Sequence, residues 1–272
     1  MITKILVPTD YSEASFNALE TAIGIAKRNN ASLQLLHIDE SAFIPEESYT
    51  IKNASQIGTA IADNIKQRHG VETTVLFKDG YIGPTIARMA FDQKPDLIVM
   101  GAYGASGQRD LFIGSNSYYT IKHANCPVLI VPEGKRWQSF NKVLFPLRPT
   151  LGAFKKYQYI SDLVIQIYPE CNFDLFGISI DRKEQDVKQV TEIANELKTS
   201  WRDAVQYDVS YSYSKNIAEE VLDKADKSKA DLVIVSSTVD VANKQFFIGP
   251  FSQRIINHAR VPVLCIFRSA EI

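Results

Sequence analysis

The chain has 272 residues, 45% of them hydrophobic and 22% charged, with a formal net charge of −1. That is the composition of a globular chain with room for one large or two ordinary domains, and its near-neutral balance excludes a general electrostatic affinity for nucleic acid or an acidic membrane. No apolar run approaches the ~18 residues needed to cross a bilayer, and Met1 to Pro8 runs directly into a strand and reads as no signal peptide. Three cysteines (Cys126, Cys171, Cys265) and four histidines (His37, His69, His123, His258) lie far apart. The cysteines read as reduced core or near-core thiols of a cytoplasmic protein, and no pair has metal-ligand spacing.

In chain order, Ile5 to Pro8 is a short apolar strand ended by proline. Thr9 to Ser12 is its exit loop, with Ser12 placed as a helix N-cap. Ala14, Ala18, Ala22 and Ile25-Ala26 recur at helical spacing, predicting a helix to about Asn29. Leu33 to Ile38 is the second strand, and the polar, proline-bearing stretch from Glu40 to Tyr49 is a loop. Lys52 to His69 is the second helix, stopped by Gly70. Val71 to Phe77 is the third strand. Gly83-Pro84 opens the third helix, where the missing proline N–H costs nothing. Asp96 to Met100 reads as a buried parallel strand, Tyr118 to Ala124 as the last helix, and Cys126 to Val131 as the fifth strand.

The remainder of the chain repeats this pattern. Displaced by 135 residues, Pro95 to Pro132 overlies Ala230 to Phe267 without a gap, with twelve of 38 columns identical. They include Asp96/Asp231, Phe112-Ile113-Gly114 over Phe247-Ile248-Gly249, Ser117/Ser252, His123-Ala124 over His258-Ala259, and Pro127 to Leu129 over Pro262 to Leu264. Lys4 to Pro8 likewise matches Lys142 to Pro146. The expectation is two copies of one domain, 1–133 and 140–272, joined by a short polar stretch.

Alternating strands and helices predict an α/β fold: two tandem doubly wound domains, each a five-stranded parallel sheet of order 3-2-1-4-5. The first and fourth strands are then neighbours, and the switch point lies between their carboxyl ends. Asp10 leaves the first strand there. The fourth strand leaves into Gly101-Ala102-Tyr103-Gly104, nine further residues, and Gly114-Ser115-Asn116-Ser117 at a helix start. Glycines there let a ligand approach the backbone. The amides of Ser115, Asn116 and Ser117 are first-turn donors at the positive end of a helix, an arrangement suited to phosphate. No lysine follows the third glycine, so this is no Walker A loop, and the spacing is not that of the dinucleotide fingerprint.

The spacing G-x-x-G-x9-G-[ST] resembles that of the universal stress protein family, in its ATP-binding subgroup. The resemblance implies the adenine nucleotide alpha hydrolase-like version of the fold and a site for ATP, ADP or AMP, with Mg2+ able to ride in on the phosphates. It assigns Asp10, Ile38, Gly101, Gly104, Gly114, Ser115 and Asn116 to nucleotide contact, with Thr9 adjacent. On this placement the amides of Ser115 to Ser117 take the phosphates, helped by the hydroxyls of Ser115 and Ser117. Asp10 takes the ribose hydroxyls, the Ile38 backbone meets the adenine edge, and Pro8 and Met100 are apolar walls. Each hydrogen bond to a charged group is worth roughly 1.5–3 kcal/mol. Bland alternatives stand beside these: Asp10 as a helix cap, and Arg109 as a solvated loop residue rather than a phosphate ligand. His37 points to the other face of its strand from Ile38.

The second copy keeps the fold pattern but not the motif. Arg148 stands for Asp10, Ser236 for Gly101, Val239 for Gly104, and Pro250 and Phe251 for Ser115 and Asn116. Pro250 has no amide to offer. One nucleotide per chain is therefore expected. The loop holds no P-loop lysine and no poised base, so no catalytic residue is assigned. The expected role is a nucleotide-binding stress-response or signalling protein. A slow ATPase or self-phosphorylating enzyme, and a scaffold that never takes nucleotide, are the alternatives. The family resemblance also implies antiparallel pairing of the two fifth strands within the chain, with further association into a homodimer left open.

Overall fold

The computed structural model describes residues 1–40, 53–102, 114–134, 137, 139–148, 154–201, 205–236 and 249–266. The chain divides into two compact units, Met1–Gln138 and Ser139–Ile272. Gly104, Arg109 and the rest of 103–113 lie outside the described residues, as do 41–52, Val239 and Phe267.

The first unit runs β1 (Lys4–Pro8), α1 (Glu13–Asn29), β2 (Ser32–Asp39), α2 (Ala54–His69), β3 (Thr73–Asp79), α3 (Ile82–Gln93), β4 (Leu97–Gly101), α4 (Ser115–His123) and β5 (Val128–Val131). Its strands are parallel, in the order β3-β2-β1-β4-β5. β1 therefore sits between β2 and β4, as the alternation of elements predicts. Ile5, Leu6 and Val7 of β1 and Leu97, Ile98 and Val99 of β4 are wholly buried. A parallel strand covered on both faces has no polar side to show, which is why these segments read as continuous apolar runs. β3, at the sheet edge, is half exposed. It lies two residues later than predicted because β2 continues to Asp39, which stands opposite Asp79.

Helix ends follow local chemistry. The Ser12 hydroxyl accepts the Ser15 N–H at 3.3 Å and caps α1. Gly70 ends α2 in the left-handed region at φ 68, where glycine has no Cβ to clash. The Asp96 carboxylate accepts the N–H groups of Thr3 and Lys4 at 2.7 and 3.0 Å and the Thr3 hydroxyl at 2.9 Å. It thereby ties the start of β4 to the start of β1 from the end opposite the switch point.

The second unit runs β6 (Lys142–Leu147), α5 (Phe154–Ile167), β7 (Asn172–Ser179), α6 (Glu184–Trp201), β8 (Tyr207–Tyr213), α7 (Ile217–Ser228), β9 (Leu232–Ser236), α8 (Pro250–His258) and β10 (Val263–Ile266). Within it the order is β8-β7-β6-β9-β10, again parallel. Asp231 repeats the clasp of Asp96, accepting from the Asn141 and Lys142 amides at 2.8 and 3.0 Å. That gives the identical column Asp96/Asp231 a backbone-fixing role in both copies. The core here is more aromatic. Phe173 stacks on Trp201 at 4.9 Å, Phe145 meets Tyr157 edge-on, and the Trp201 indole N–H reaches the Ser161 hydroxyl at 3.1 Å. The three cysteines are free thiols. Burial pushes Cys171 up to about 12. Burial, with the Asp96 carboxylate adding, does the same for Cys126.

Candidate functional site

The mouth of β1 is held by a network of short polar side chains. The Thr9 N–H donates to the Leu36 carbonyl at 2.8 Å, the last bond of β1 to β2. The Thr9 hydroxyl lies 3.0 Å from that of Ser15 and accepts the Tyr11 N–H at 3.1 Å. Asp10 Oδ1 accepts the N–H and the hydroxyl of Ser12. Asp10 thus buttresses the α1 cap, which Ser12 itself supplies. Tyr11 takes a left-handed φ of 61, uncommon for an aromatic residue. Its ring stacks on His37 at 4.9 Å, and its hydroxyl donates to the Ala54 carbonyl at 2.9 Å. Burial raises the Tyr11 phenol, which keeps it a donor. His37 Nδ1 lies 3.0 Å from the Thr9 carbonyl. A carbonyl can only accept, so that nitrogen carries the proton. His37 is a buried part of the scaffold.

The α4 turn comes to the neighbouring strand end. The Gly114 N–H donates to the Ala102 carbonyl at 3.2 Å, and the buried Ser117 hydroxyl donates to the Gly101 carbonyl at 3.1 Å. These two bonds fix the first turn of α4 at the mouth of β4. The first helical bond of α4 runs from the Tyr118 N–H to the Gly114 carbonyl. The amides of Ser115, Asn116 and Ser117 precede it and have no partner among the described residues. Ser117 therefore offers its amide, while its hydroxyl proton is spent on β4. Gly101 has a different structural reason from the one its motif suggests. A Cβ there would stand 3.1 Å from the Ala14 carbonyl oxygen and 3.2 Å from its carbon, so the glycine lets α1 approach β4.

Backbone parity fixes what Ile38 presents. Leu36 exchanges with β1 through Thr9, and Asp39 accepts the Gly80 N–H from the β3 side at 3.1 Å. Peptide groups alternate along a strand, so the N–H and C=O of Ile38 face the β1 side, beyond the last β1 bond. Met100 and Pro8 are buried beside this mouth. Pro8, Thr9, Asp10, Ile38, Met100, Gly101, Gly114, Ser115, Asn116 and Ser117 all belong to strand ends or turns on the carboxyl side of one sheet. Sequence reasoning missed Tyr11, Ser15, Glu40 and Gly83. Glu40 Oε1 accepts the Ile82 N–H at 3.0 Å, and Asn116 Oδ1 accepts the Gly83 N–H at 3.2 Å. A glycine in the first turn of α3 was the available signal.

In the second unit a tyrosine of α5 binds the backbone at the corresponding strand mouth. The buried Tyr157 hydroxyl accepts the Arg148 N–H at 3.1 Å and lies 3.4 Å from the Arg148 carbonyl. Burial raises the Tyr157 phenol, against a lowering influence of Arg148. α8 begins with Pro250 at its first position. Among the described residues, no group of three or more His, Cys, Asp or Glu could hold a metal.

The profile of the Universal stress protein family matches residues 1–132 and 168–266. Universal stress protein YxiE of Bacillus subtilis is 31% identical over 147 residues, covering 48% of this chain and 99% of that protein. Universal stress protein MJ0531 of Methanocaldococcus jannaschii is 33% identical over 142 residues, covering 49% of this chain and 84% of that one. The crystal structure of a universal stress protein from Archaeoglobus fulgidus covers 99% of this chain and 97% of its own, with a TM-score of 0.73 at 19% identity. That last likeness is one of fold.

Proposed function

Because the chain belongs to the universal stress protein family, we propose that its first domain, 1–133, binds an adenine nucleotide and that occupancy sets its behaviour as a stress-response or signalling protein. The observation that carries this reading is the seating of the α4 turn. Gly114 and Ser117 bind it to the end of β4, and the amides of Ser115, Asn116 and Ser117 that come with it have no partner among the described residues. Oriented amides at a helix start favour an anion. The nucleotide then lies with its phosphates on the amides of Ser115, Asn116 and Ser117, near Gly101 and Gly104. Its ribose lies toward Thr9 and Asp10, and its base reaches the Ile38 backbone between Pro8 and Met100. ATP, ADP and AMP share that chemistry, and Mg2+ would enter with the phosphates.

The second domain, 140–272, has the sheet without the site. Tyr157 already takes the strand-mouth backbone, and Pro250 removes a phosphate donor. Pairing of the fifth strands within the chain is proposed on the general need of an apolar edge strand for cover. Cysteines introduced at Ile130 and Leu264 should then crosslink on oxidation, and failure to do so would argue against the pairing. The nucleotide reading is tested by mass spectrometry of small molecules released from freshly purified protein, followed by titration of the stripped protein. Adenine nucleotide in the release, and micromolar rebinding of ATP, are the expected results. Protein that neither carries nor rebinds one would leave the chain a scaffold.

A further inference from the structure

Two side chains from different elements meet the first turn of α3. Glu40, two residues beyond Ile38, accepts the Ile82 N–H at 3.0 Å. Asn116, in the first turn of α4, accepts the Gly83 N–H at 3.2 Å. Gly83 lets α4 come this close: a Cβ there would stand 2.9 Å from the Tyr119 Cβ and 3.4 Å from the Asn116 Cα. α3 has no cap of its own, since its N-cap, Tyr81, makes no side-chain cap bond. Its two first-turn amides are therefore satisfied from outside the helix, one by the exit of β2 and one by the α4 turn.

The second unit supplies an internal comparison. β7 has the eight residues of β2, α7 the twelve of α3, and α8 the nine of α4. Glu40 then corresponds to Ile180, Gly83 to Ala218 and Asn116 to Phe251. Neither Ile180 nor Phe251 has a side-chain acceptor. α7 is capped locally instead, by Asn216 of its own N-cap, and α7 and α8 are joined by an exposed ion pair between Glu219 and Arg254. The arrangement around α3 occurs in the unit with the nucleotide motif and is replaced in the unit without it.

We infer that Glu40 and Asn116 are positioning residues that use the start of α3 as a bracket, holding the base end and the phosphate end of the nucleotide site at a fixed separation. This rests on the nucleotide reading above. Glu40 steadies the β2 exit that carries the Ile38 backbone, so it acts on the base. Asn116 steadies the turn that carries the phosphate amides, so its side chain acts on the phosphates. The two residues therefore have different ligand signatures, which a general loss of stability would not produce.

The test compares ATP with adenosine by calorimetric titration of the full chain. Asn116→Ala should weaken ATP about five- to tenfold, the size of one lost hydrogen bond, while adenosine changes less than about twofold. Glu40→Ala should weaken both ligands by a similar factor. Glu40→Gln keeps an acceptor oxygen and should restore both. Retained adenosine binding shows that the Asn116 variant is folded. Equal loss of both ligands in Asn116→Ala, unchanged ATP affinity there, or a Glu40→Gln variant no better than Glu40→Ala would overturn the bracket while leaving the nucleotide reading intact. A wild-type chain that binds neither ligand would overturn both.

Discussion

Gly114→Val separates what the fold needs from what the ligand needs. Gly114 has φ −51 and ψ 141, an extended conformation open to any L residue, so no backbone strain follows from a side chain. At the helix end the fold loses N-cap preference, in which valine is poorer than glycine by up to about 1 kcal/mol. The phosphate loses its close approach to the turn. Each hydrogen bond to a charged group contributes roughly 1.5–3 kcal/mol, so losing one weakens ATP by about 10- to 100-fold, and losing two makes binding unmeasurable. Gly249→Val is the matched control. Its φ is −59, its ψ is 158, and among the described residues nothing lies within 4 Å of the added Cβ. Both variants should keep the far-UV spectrum and melt within a few degrees of the parent, by about 3 °C per kcal/mol. Only Gly114→Val should lose ATP in titration calorimetry. Unchanged affinity in Gly114→Val, or equal loss in both variants, would show that the phosphates do not sit at this turn.

Other outcomes follow from single contacts. Ser117→Ala removes a buried hydroxyl that donates to the Gly101 carbonyl, and should cost stability by about 1–3 kcal/mol in a thermal melt. Ser115→Ala, at an exposed position, should leave the melt unchanged and weaken ATP a few-fold; the reverse pattern would exchange their roles. Asp10→Ala should both loosen the α1 cap, by about 1 kcal/mol, and weaken ATP, whereas a loss of stability alone would reduce Asp10 to a capping residue. Burial raises Cys171 to about 12 and raises Cys265 as well, each above the ordinary 9.0. A folded value above the unfolded one stabilises fully below pH about 9 and is lost as the pH climbs toward 12. The melting temperature should thus fall above pH 9, and iodoacetamide at pH 8 should spare both thiols in the native chain. Rapid stoichiometric labelling of either would contradict that burial.

The strand order was legible because alternating apolar runs and helical spacings leave few solutions for a parallel sheet, and each copy checks the other. The chemical reasons behind individual residues were less legible. Gly101 belongs to a ligand motif in sequence, yet its missing Cβ makes room for the Ala14 carbonyl of α1. Asp96 and Asp231 stood out as a matched column, but their use as clasps on β1 and β6 depends on backbone amides that no side-chain pattern reveals. Tyr157 was invisible as a partner of the second strand mouth because its hydroxyl folds back from the first turn of α5 onto the Arg148 backbone nine residues earlier, a contact that no residue spacing announces. Ser117 shows the finer limit. A serine after a glycine turn reads as a phosphate donor, and its χ1 sends the hydroxyl to β4 instead.

The most direct test is the stoichiometry of ATP binding to the whole chain, measured calorimetrically on protein stripped of ligand. The first unit offers Asp10, three α4 amides and the Ile38 backbone without partners among the described residues, while the second offers Arg148 held to Tyr157 and a helix begun by proline. Missing two hydrogen bonds of roughly 1.5–3 kcal/mol each takes a micromolar site beyond about 0.1 mM. A stoichiometry near one, abolished by Asp10→Ala with Gly114→Val and untouched by Arg148→Ala, is the expected result. Two equivalent sites per chain, or binding that survives the first-unit double variant, would contradict it.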